Sequence, residues 1–303
     1  MALTDAPILA PETKPLTAIL WMLGSGLCFV GVTGVVRYLG TDLPAAQSAF
    51  LRFAWGAVFL LPTLVPLLRA GVSRPLMRLY LGRGAVHVAA VVFWFYAMAR
   101  IPVAEVTAIG YLNPVLLTLG TAVFLGEKLA ARRLAAIGVA LVGALIVLRP
   151  GLREITDGHW SQVAAACFFA GSYLFAKKLS GLVSAGQAVA MLSLVVTLLL
   201  APLALWVWVP VSLMQVAWLA VVAACATGGH YCMSRAFAAA PVAVSQPVVF
   251  LQLVWATMLG AIVFGEAVDP FVLLGGAVIV GAVSYITWRE AVVRNRARTA
   301  PRI

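Results

Sequence analysis

The chain is a series of long apolar runs separated by short polar or turn-forming segments. An α-helix needs about 20 apolar residues to cross the hydrocarbon core of a bilayer. Runs of this length predict ten membrane-spanning helices, over residues 17–39, 45–68, 82–99, 103–125, 132–149, 159–179, 186–208, 213–234, 242–264 and 270–288. Because the connections are short, neighbouring spans are expected to be antiparallel, and no soluble domain fits between them.

The basic residues predict how these spans are oriented. If the N-terminus is cytoplasmic, 16 of the 21 Lys and Arg residues lie on the cytoplasmic side. Arg52 lies within the second span, and four lie on the opposite side: Arg37, Arg100, Arg149 and Arg153. Loops rich in Lys and Arg stay in the cytoplasm, so the pattern predicts ten spans with both termini inside.

The two halves of the chain repeat one another at an offset of 139 residues. Trp21 matches Trp160 at this offset, and Cys28-Phe29 matches Cys167-Phe168. The same offset aligns Pro102-Val103-Ala104 with Pro241-Val242-Ala243, and Gly126-Glu127 with Gly265-Glu266. A single gap-free register that retains Trp, Cys-Phe and Gly-Glu indicates a true internal repeat.

Each repeat holds five spans, and an odd number places the second copy in the opposite orientation. The predicted organisation is a polar segment (1–16), a first repeat (17–149), a connecting loop (150–158), a second repeat (159–288) and a basic cytoplasmic tail (289–303). Inverted repeats are typical of secondary transporters, whose substrate sites lie near the membrane midplane between the repeats. The alternative is that the repeat records a gene duplication and nothing more.

Composition excludes several other classes of protein. The chain is 63% hydrophobic and 10% charged, against about 45–50% and about 25% in soluble domains. The net charge of +11 does not indicate nucleic-acid binding, because the basic residues sit in short clusters between apolar runs. The four cysteines have neither CxxC spacing nor a nearby histidine at metal-ligand spacing, so no metal or other cofactor is predicted.

Polar side chains within the spans suggest where a substrate binds, since their burial in a membrane is costly. The candidate cavity residues are His87, Trp94, Thr107, Tyr111, Asn113, His230, Tyr231, Gln246 and Gln252. They combine amide, phenol and imidazole groups with aromatic walls, which suits a zwitterion with an apolar or aromatic side chain. The alternative, favoured for any single Thr, is hydrogen bonding between helices.

Two charged residues are candidates for coupling or gating. Glu105 begins the fourth span, where an acid either binds protons or a substrate amine or simply interacts with the helix dipole. Its repeat counterpart is Val244, so the repeat does not require an acid there. Arg52 is the most deeply placed cation and is interpreted mainly as structural, with substrate contact as the alternative.

These features resemble those of a known family. Ten spans in two fives, the Arg52-Phe53 pair and the Gly-Glu that closes both the fourth and the ninth span resemble the EamA-type branch of the drug/metabolite transporter superfamily. The resemblance covers nearly the whole chain. Within that branch, the chain is similar to exporters of aromatic amino acids from the bacterial inner membrane. Met191 stands at the repeat counterpart of Arg52, which argues against a symmetric role for this arginine.

The resemblance implies alternating access and export of amino acids, preferably aromatic or other apolar ones, across a bacterial inner membrane. Export of other metabolites or drugs is the alternative. An intramembrane enzyme or a channel is disfavoured, because there is no HExxH motif, P-loop or selectivity filter. The expected partners are a small-molecule substrate and membrane lipid, with no nucleic acid, and the protein is expected to be a monomer or a homodimer.

Overall fold

The computed structural model describes residues 14–125, 131–152, 154–179, 182–240 and 242–299. These residues form helices and no strands. The twelve helices of the described residues are α1 (Pro15–Leu39), α2 (Ala45–Phe59), α3 (Leu61–Ala70), α4 (Arg74–Met98), α5 (Val103–Gly110), α6 (Leu112–Leu125), α7 (Ala131–Leu148), α8 (Asp157–Leu179), α9 (Ala185–Trp206), α10 (Leu213–Ala239), α11 (Val242–Phe264) and α12 (Pro270–Thr299).

Some of these helices have the length and apolar composition of membrane spans. Within the described ranges, six helical stretches are long and apolar enough to cross a membrane, and the bent pair α2–α3 makes seven. The apolar stretches of α7 and α11 are shorter, at Leu134–Leu148 and Leu251–Phe264. The count of ten spans, and the cytoplasmic placement of both termini, remain predictions.

Two of the predicted spans are broken helices, and proline explains both breaks. α2 and α3 meet at an angle of 75°, with Pro62 in the first turn of α3, and this proline has no N–H for the carbonyl four residues earlier. The fourth predicted span is divided at Tyr111. Pro114 likewise has no N–H to donate to the carbonyl of Gly110, so the break falls beside this carbonyl.

Several helices extend beyond their predicted bounds. α4 begins at Arg74 rather than at residue 82, because Pro75 in its first turn is well suited to start a helix. The sequence counts Arg83, at the start of the third predicted span, among the cytoplasmic basic residues. In the structure it lies in the third turn of α4 and is buried. α12 continues to Thr299 and so includes most of the predicted basic tail.

Equivalent helices of the two halves run in opposite directions. The N–H of Val103, at the start of α5, donates to Oε2 of Glu266, just after α11, at 2.9 Å. Gln47, at the start of α2, exchanges hydrogen bonds of 2.9 and 3.0 Å with Val209, just after α9. The two spans in each contact are counterparts in the internal repeat. The start of a span from the first half meets the end of its counterpart in the second half, so the two halves are inverted. We call this end of the bundle, which includes Glu105, the Glu105 end.

Helix packing shows the same relationship between the two halves. α1 packs chiefly on α10, and α8 packs chiefly on α4; exchanging the halves converts one pair into the other. The pairs α2–α9 and α7–α12 are each converted into themselves. The largest hydrophobic cluster contains side chains from both halves, including Phe53, Val91, Phe169 and Leu253. The interface between the halves is therefore the core of the protein.

Candidate functional site

Aromatic rings from both halves meet in the centre of the bundle. The His87 imidazole packs edge-on against Phe53 at 5.7 Å and against Phe169 at 5.2 Å between ring centroids. Trp94 lies 5.7 Å from Phe169, and Tyr173 stacks on Phe169 at 6.3 Å. These five residues form the central cluster. His87 and Phe169 lie near the midpoints of α4 and α8, at a depth suited to substrate binding.

The imidazole of His87 is held in a defined orientation. Its Nδ1 atom lies 3.0 Å from the Ser172 hydroxyl oxygen, and both residues are buried. The same hydrogen bond joins α4 to α8 and therefore the first half to the second. His87 thus combines a ring face in the central cluster with a polar contact across the repeat interface.

Two arginines of the first half lie beside the central cluster. The Arg52 guanidinium carbon is 3.8 Å from the centroid of the Phe53 ring. Arg83 Nη1 donates to the Ala188 carbonyl at 3.1 Å, and its Nε atom is buried without a hydrogen-bond partner. Arg83 also precedes His87 by one turn of α4. Two cations therefore lie beside the central cluster.

The contacts of Arg52 do not balance the cost of its position. Removing a cation from water costs several kcal/mol even after relaxation of the protein. Stacking on an aromatic ring recovers about 0.5–2 kcal/mol. Arg52 is half-buried, and none of the ion pairs among the described residues includes Arg52 or Arg83. Both arginines thus retain donor capacity in the interior.

The two candidate residues of the eighth span, His230 and Tyr231, lie in different surroundings. His230 is half-buried and packs edge-on against Phe29 at 5.2 Å, which places it in the interior between α1 and α10. Tyr231 is 55% exposed. It packs against Trp21 and accepts a hydrogen bond from Arg235 at 3.2 Å. Its neighbours are therefore surface residues, not the central cluster.

The predicted residues of the fourth span surround the break between α5 and α6. The Tyr111 hydroxyl donates to the Val249 carbonyl at 2.8 Å, joining the halves. Thr107 donates to the carbonyl of Val103 in its own helix at 2.9 Å, so this hydroxyl is satisfied within α5. The Oδ1 atom of Asn113 is buried without a partner, so this acceptor remains available beside the break.

Gln162 of α8 lies along the same break. Its Nε2 atom donates to the Val106 carbonyl at 3.1 Å, while its Oε1 atom is buried without a partner. Gln162 and Asn113 therefore leave two amide oxygens without partners near a discontinuous helix, an arrangement found at transporter binding sites.

The candidate residues of the ninth span are Gln246 and Gln252, both in α11. Gln246 falls in the part of α11 whose side chains are outside the described residues. Gln252 is half-buried and packs along α1, where a Cβ added to Gly26 would lie 3.5 Å from its Cβ. Gln252 therefore contributes to the close packing of α11 on α1.

Among the described residues, three contacts between acidic and basic side chains join the halves at the Glu105 end. Each joins an acid or base of the first half to its partner in the second: Glu105 with His159 at 2.6 Å, Arg37 with Glu266 at 3.0 Å, and Arg149 with Asp269. Glu105 and His159 are both buried. This end of the interface is therefore closed by charged contacts. Glu127, the repeat counterpart of Glu266, lies outside the described residues.

Sequence reasoning missed several of these residues. The sequence counts Arg83 among the cytoplasmic basic residues, although its position one helical turn before His87 places both on one face of a helix. His159 is not a candidate in the sequence, because it lies at the start of a span and 54 positions from Glu105. Phe169 and Tyr173 are not candidates either, since nothing in their local pattern indicates what they contact.

An all-helical bundle with inverted halves and a polar, aromatic centre defines a membrane transporter. The sequence profile of the EamA-like transporter family matches the chain twice, over residues 16–149 and 158–288. The chain belongs to the EamA-like transporter family, within the drug/metabolite transporter superfamily.

Relatives of known function span nearly the whole chain. A riboflavin transporter of Vibrio cholerae is 30% identical, covering 94% of this chain and 97% of the relative. An S-adenosylmethionine uptake transporter of Rickettsia prowazekii is 27% identical over 91% and 94%. A pseudopaline exporter of Pseudomonas aeruginosa is 26% identical over 88% and 94%. One crystal structure, 21% identical, shares the fold with a TM-score of 0.58, covering 91% of this chain and 95% of the other.

These relatives confirm the family and the class, a membrane transporter. They do not support the narrower resemblance to aromatic amino acid exporters, because the three relatives are described as carriers of riboflavin, S-adenosylmethionine and pseudopaline. Their substrates differ widely, so membership of the family does not by itself indicate the substrate.

Proposed function

We propose that this protein is a secondary transporter of small aromatic metabolites that works by alternating access. The observation that carries the proposal is the central cluster, which is built from both halves at mid-depth while ion pairs between the halves close the Glu105 end. Breaking those pairs and closing the opposite end would expose the same cluster to the other side.

Two kinds of substrate fit this site. The sequence-based hypothesis is export of aromatic or other apolar amino acids from the cytoplasm across a bacterial inner membrane, with ten spans and both termini inside. The most similar of the relatives described above carries riboflavin, whose planar ring system also suits stacking between aromatic side chains. Both substrates present a flat ring to the central cluster, so we group them as aromatic metabolites.

The site residues proposed from the sequence divide according to their surroundings. His87, Trp94 and His230 lie among interior rings and are proposed to contact the substrate. Tyr111 and Asn113 are proposed to line the adjoining break in the fourth span. Glu105 is proposed to act in gating through His159.

Counterflow in liposomes tests the proposal. Purified protein is reconstituted with unlabelled tryptophan or riboflavin inside, and uptake of the same labelled compound is followed outside. Saturable, trans-stimulated uptake is expected for at least one of the two, while serine serves as the non-aromatic control. Electrical conductance without saturation would instead indicate a channel, and absence of exchange for both aromatic compounds would refute the proposal.

A further inference from the structure

Arg52 lies in the middle of α2, a helix of 15 residues whose first turn is at the Glu105 end. Its guanidinium packs over Phe53, which in turn packs against His87. The charge is thus held directly against a ring of the central cluster. A planar guanidinium has five N–H donors, and stacking on a ring leaves the edges of the plane free to donate.

Among the described residues, no acid forms an ion pair with Arg52. The ten acidic residues of the chain are at positions 5, 12, 42, 105, 127, 154, 157, 266, 269 and 290. None of these positions falls in α2, α4, α9 or α10, the helices that carry Arg52, Arg83 and His230 or pack against α2. Glu105, which lies in α5, already contacts His159.

Arg83 adds a second positive charge to the same region. It is buried, it gives one hydrogen bond to the Ala188 carbonyl, and its Nε donor is left over. In an interior of low dielectric, two like charges without counter-ions raise the potential well above that of a solvated surface. An anion entering this region therefore gains far more than it would gain at the membrane surface.

We propose that Arg52, supported by Arg83, binds a carboxylate or phosphate group attached to the aromatic ring of the substrate. The site then selects aromatic anions and aromatic zwitterions with an accessible anionic group, and it rejects aromatic cations. This proposal rests on the transport function proposed above and names the substrate class of the same site. The guanidinium fork matches both anions in two parallel hydrogen bonds.

The positions of the rings are consistent with such a ligand. Phe53 contacts both the guanidinium and His87, and Phe169 contacts His87, Trp94 and Tyr173. A substrate ring stacked in the central cluster would therefore keep its anionic substituent within a side-chain length of Arg52. Binding of such an anion accounts for the position of the Arg52 guanidinium beside aromatic rings, away from the ion pairs of the Glu105 end.

Matched ligand pairs test the charge preference without requiring transport. Binding to the purified full-length protein in detergent is measured by isothermal titration calorimetry. Indole-3-propionate is compared with tryptamine, which has the same ring and a cation in place of the carboxylate, and riboflavin phosphate is compared with riboflavin. We expect the anionic member of at least one pair to bind at least about tenfold more tightly. Equal binding, tighter binding of the non-anionic member, or no measurable binding of either anion overturns the proposal.

Substitutions then assign the preference to Arg52. Arg52→Gln is expected to weaken binding of the preferred anion at least about tenfold and to leave binding of its non-anionic counterpart unchanged. Arg52→Lys keeps the charge without the planar fork and is expected to retain part of the preference. Arg69→Gln, at an exposed position of α3, is the matched control and should behave as the wild type. If Arg52→Gln does not yield folded protein, binding of the anionic and non-anionic ligands to Arg52→Lys is compared instead, and that comparison tests the role of Arg52.

Counterflow separates this proposal from the proposed function. Exchange of tryptophan or riboflavin that tryptamine inhibits as strongly as indole-3-propionate does would retain the transporter and refute anion selection. A strong anion preference in binding, together with no exchange of any aromatic compound, would retain the site and refute transport.

Discussion

The Nε2 atom of His159 lies 2.6 Å from the Oε2 atom of Glu105, and this buried contact joins the start of α8 to the first turn of α5. His159 Nδ1 also lies 2.8 Å from the Thr156 hydroxyl oxygen. The imidazole thus bridges the loop before α8 to the first half. Because both partners are buried at the interface of inverted halves, the pair is well placed to control separation of the halves.

Glu105→Ala and His159→Ala should each destabilise the protein. Each removes a buried polar contact from its partner, at a cost of about 1–3 kcal/mol in the free energy of unfolding. The double variant should cost much less than the sum, because the second change removes a group that has already lost its partner. Unfolding titrations in detergent measure the three values, with the exposed Glu154→Ala as control. Additive effects would show that the two residues act independently.

Glu266 makes two contacts with the first half. Its carboxylate receives Arg37 at 3.0 Å and also accepts from the N–H of Val103 at 2.9 Å, at the start of α5. Glu266→Ala removes both contacts, while Glu266→Gln can still accept from Val103. The expected loss of unfolding free energy is about 1–3 kcal/mol for Ala and about half of that for Gln. Equal losses for the two variants would mean that the bond to Val103 contributes nothing.

The crossing of α7 and α12 depends on two glycines. A Cβ at Gly143 would lie 2.8 Å from the Gly275 carbonyl oxygen, which is a backbone atom that cannot move aside. Gly143→Ala should therefore push the helices apart and cost about 1–3 kcal/mol. Gly138 lies on the same helix with no atom near its Cβ position, so Gly138→Ala should be neutral or stabilising by up to about 1 kcal/mol. Melting temperatures in detergent compare the two; similar values would exclude a tight crossing.

Trp94 is expected to contribute a stacking surface for the substrate. It packs against Phe169 in the central cluster. Ring pairs contribute about 0.5–1.5 kcal/mol, so Trp94→Ala should reduce the apparent affinity in counterflow about two- to tenfold, while Trp94→Phe keeps most of it. Trp206→Ala provides the control, because Trp206 is 88% exposed at the end of α9. An unchanged affinity in Trp94→Ala would remove this residue from the site.

The sequence predicts the helical segments well because their signal is local. Apolar length identifies the helices, and two of them break beside the prolines at positions 62 and 114. The bounds of α4 could not be found in this way. Its first three turns contain three arginines and lack the apolar character that marks a span, yet they continue the same helix, and α9 supplies the carbonyl that Arg83 needs.

The candidate site was found only in part, since a repeat predicts equivalent backbones and not equivalent side chains. Arg52 corresponds to Met191, which is buried in a separate apolar cluster with Tyr80. Glu105 corresponds to Val244, so its partner cannot be inferred from the other half. Tyr231 has the same polar and aromatic character as His230 beside it, and only the packing of α1 on α10 distinguishes an exposed ring from an interior one.

By itself, the sequence determined an apolar helical chain, its internal repeat at an offset of 139 residues and a set of polar positions within spans. These depend on length, composition and register, which are properties of the chain alone. The tertiary structure decided which charges are paired across the halves and which are left facing the centre. That decision depends on contacts between helices far apart in sequence, and it separates the ion pairs of the Glu105 end from the two arginines beside the central cluster.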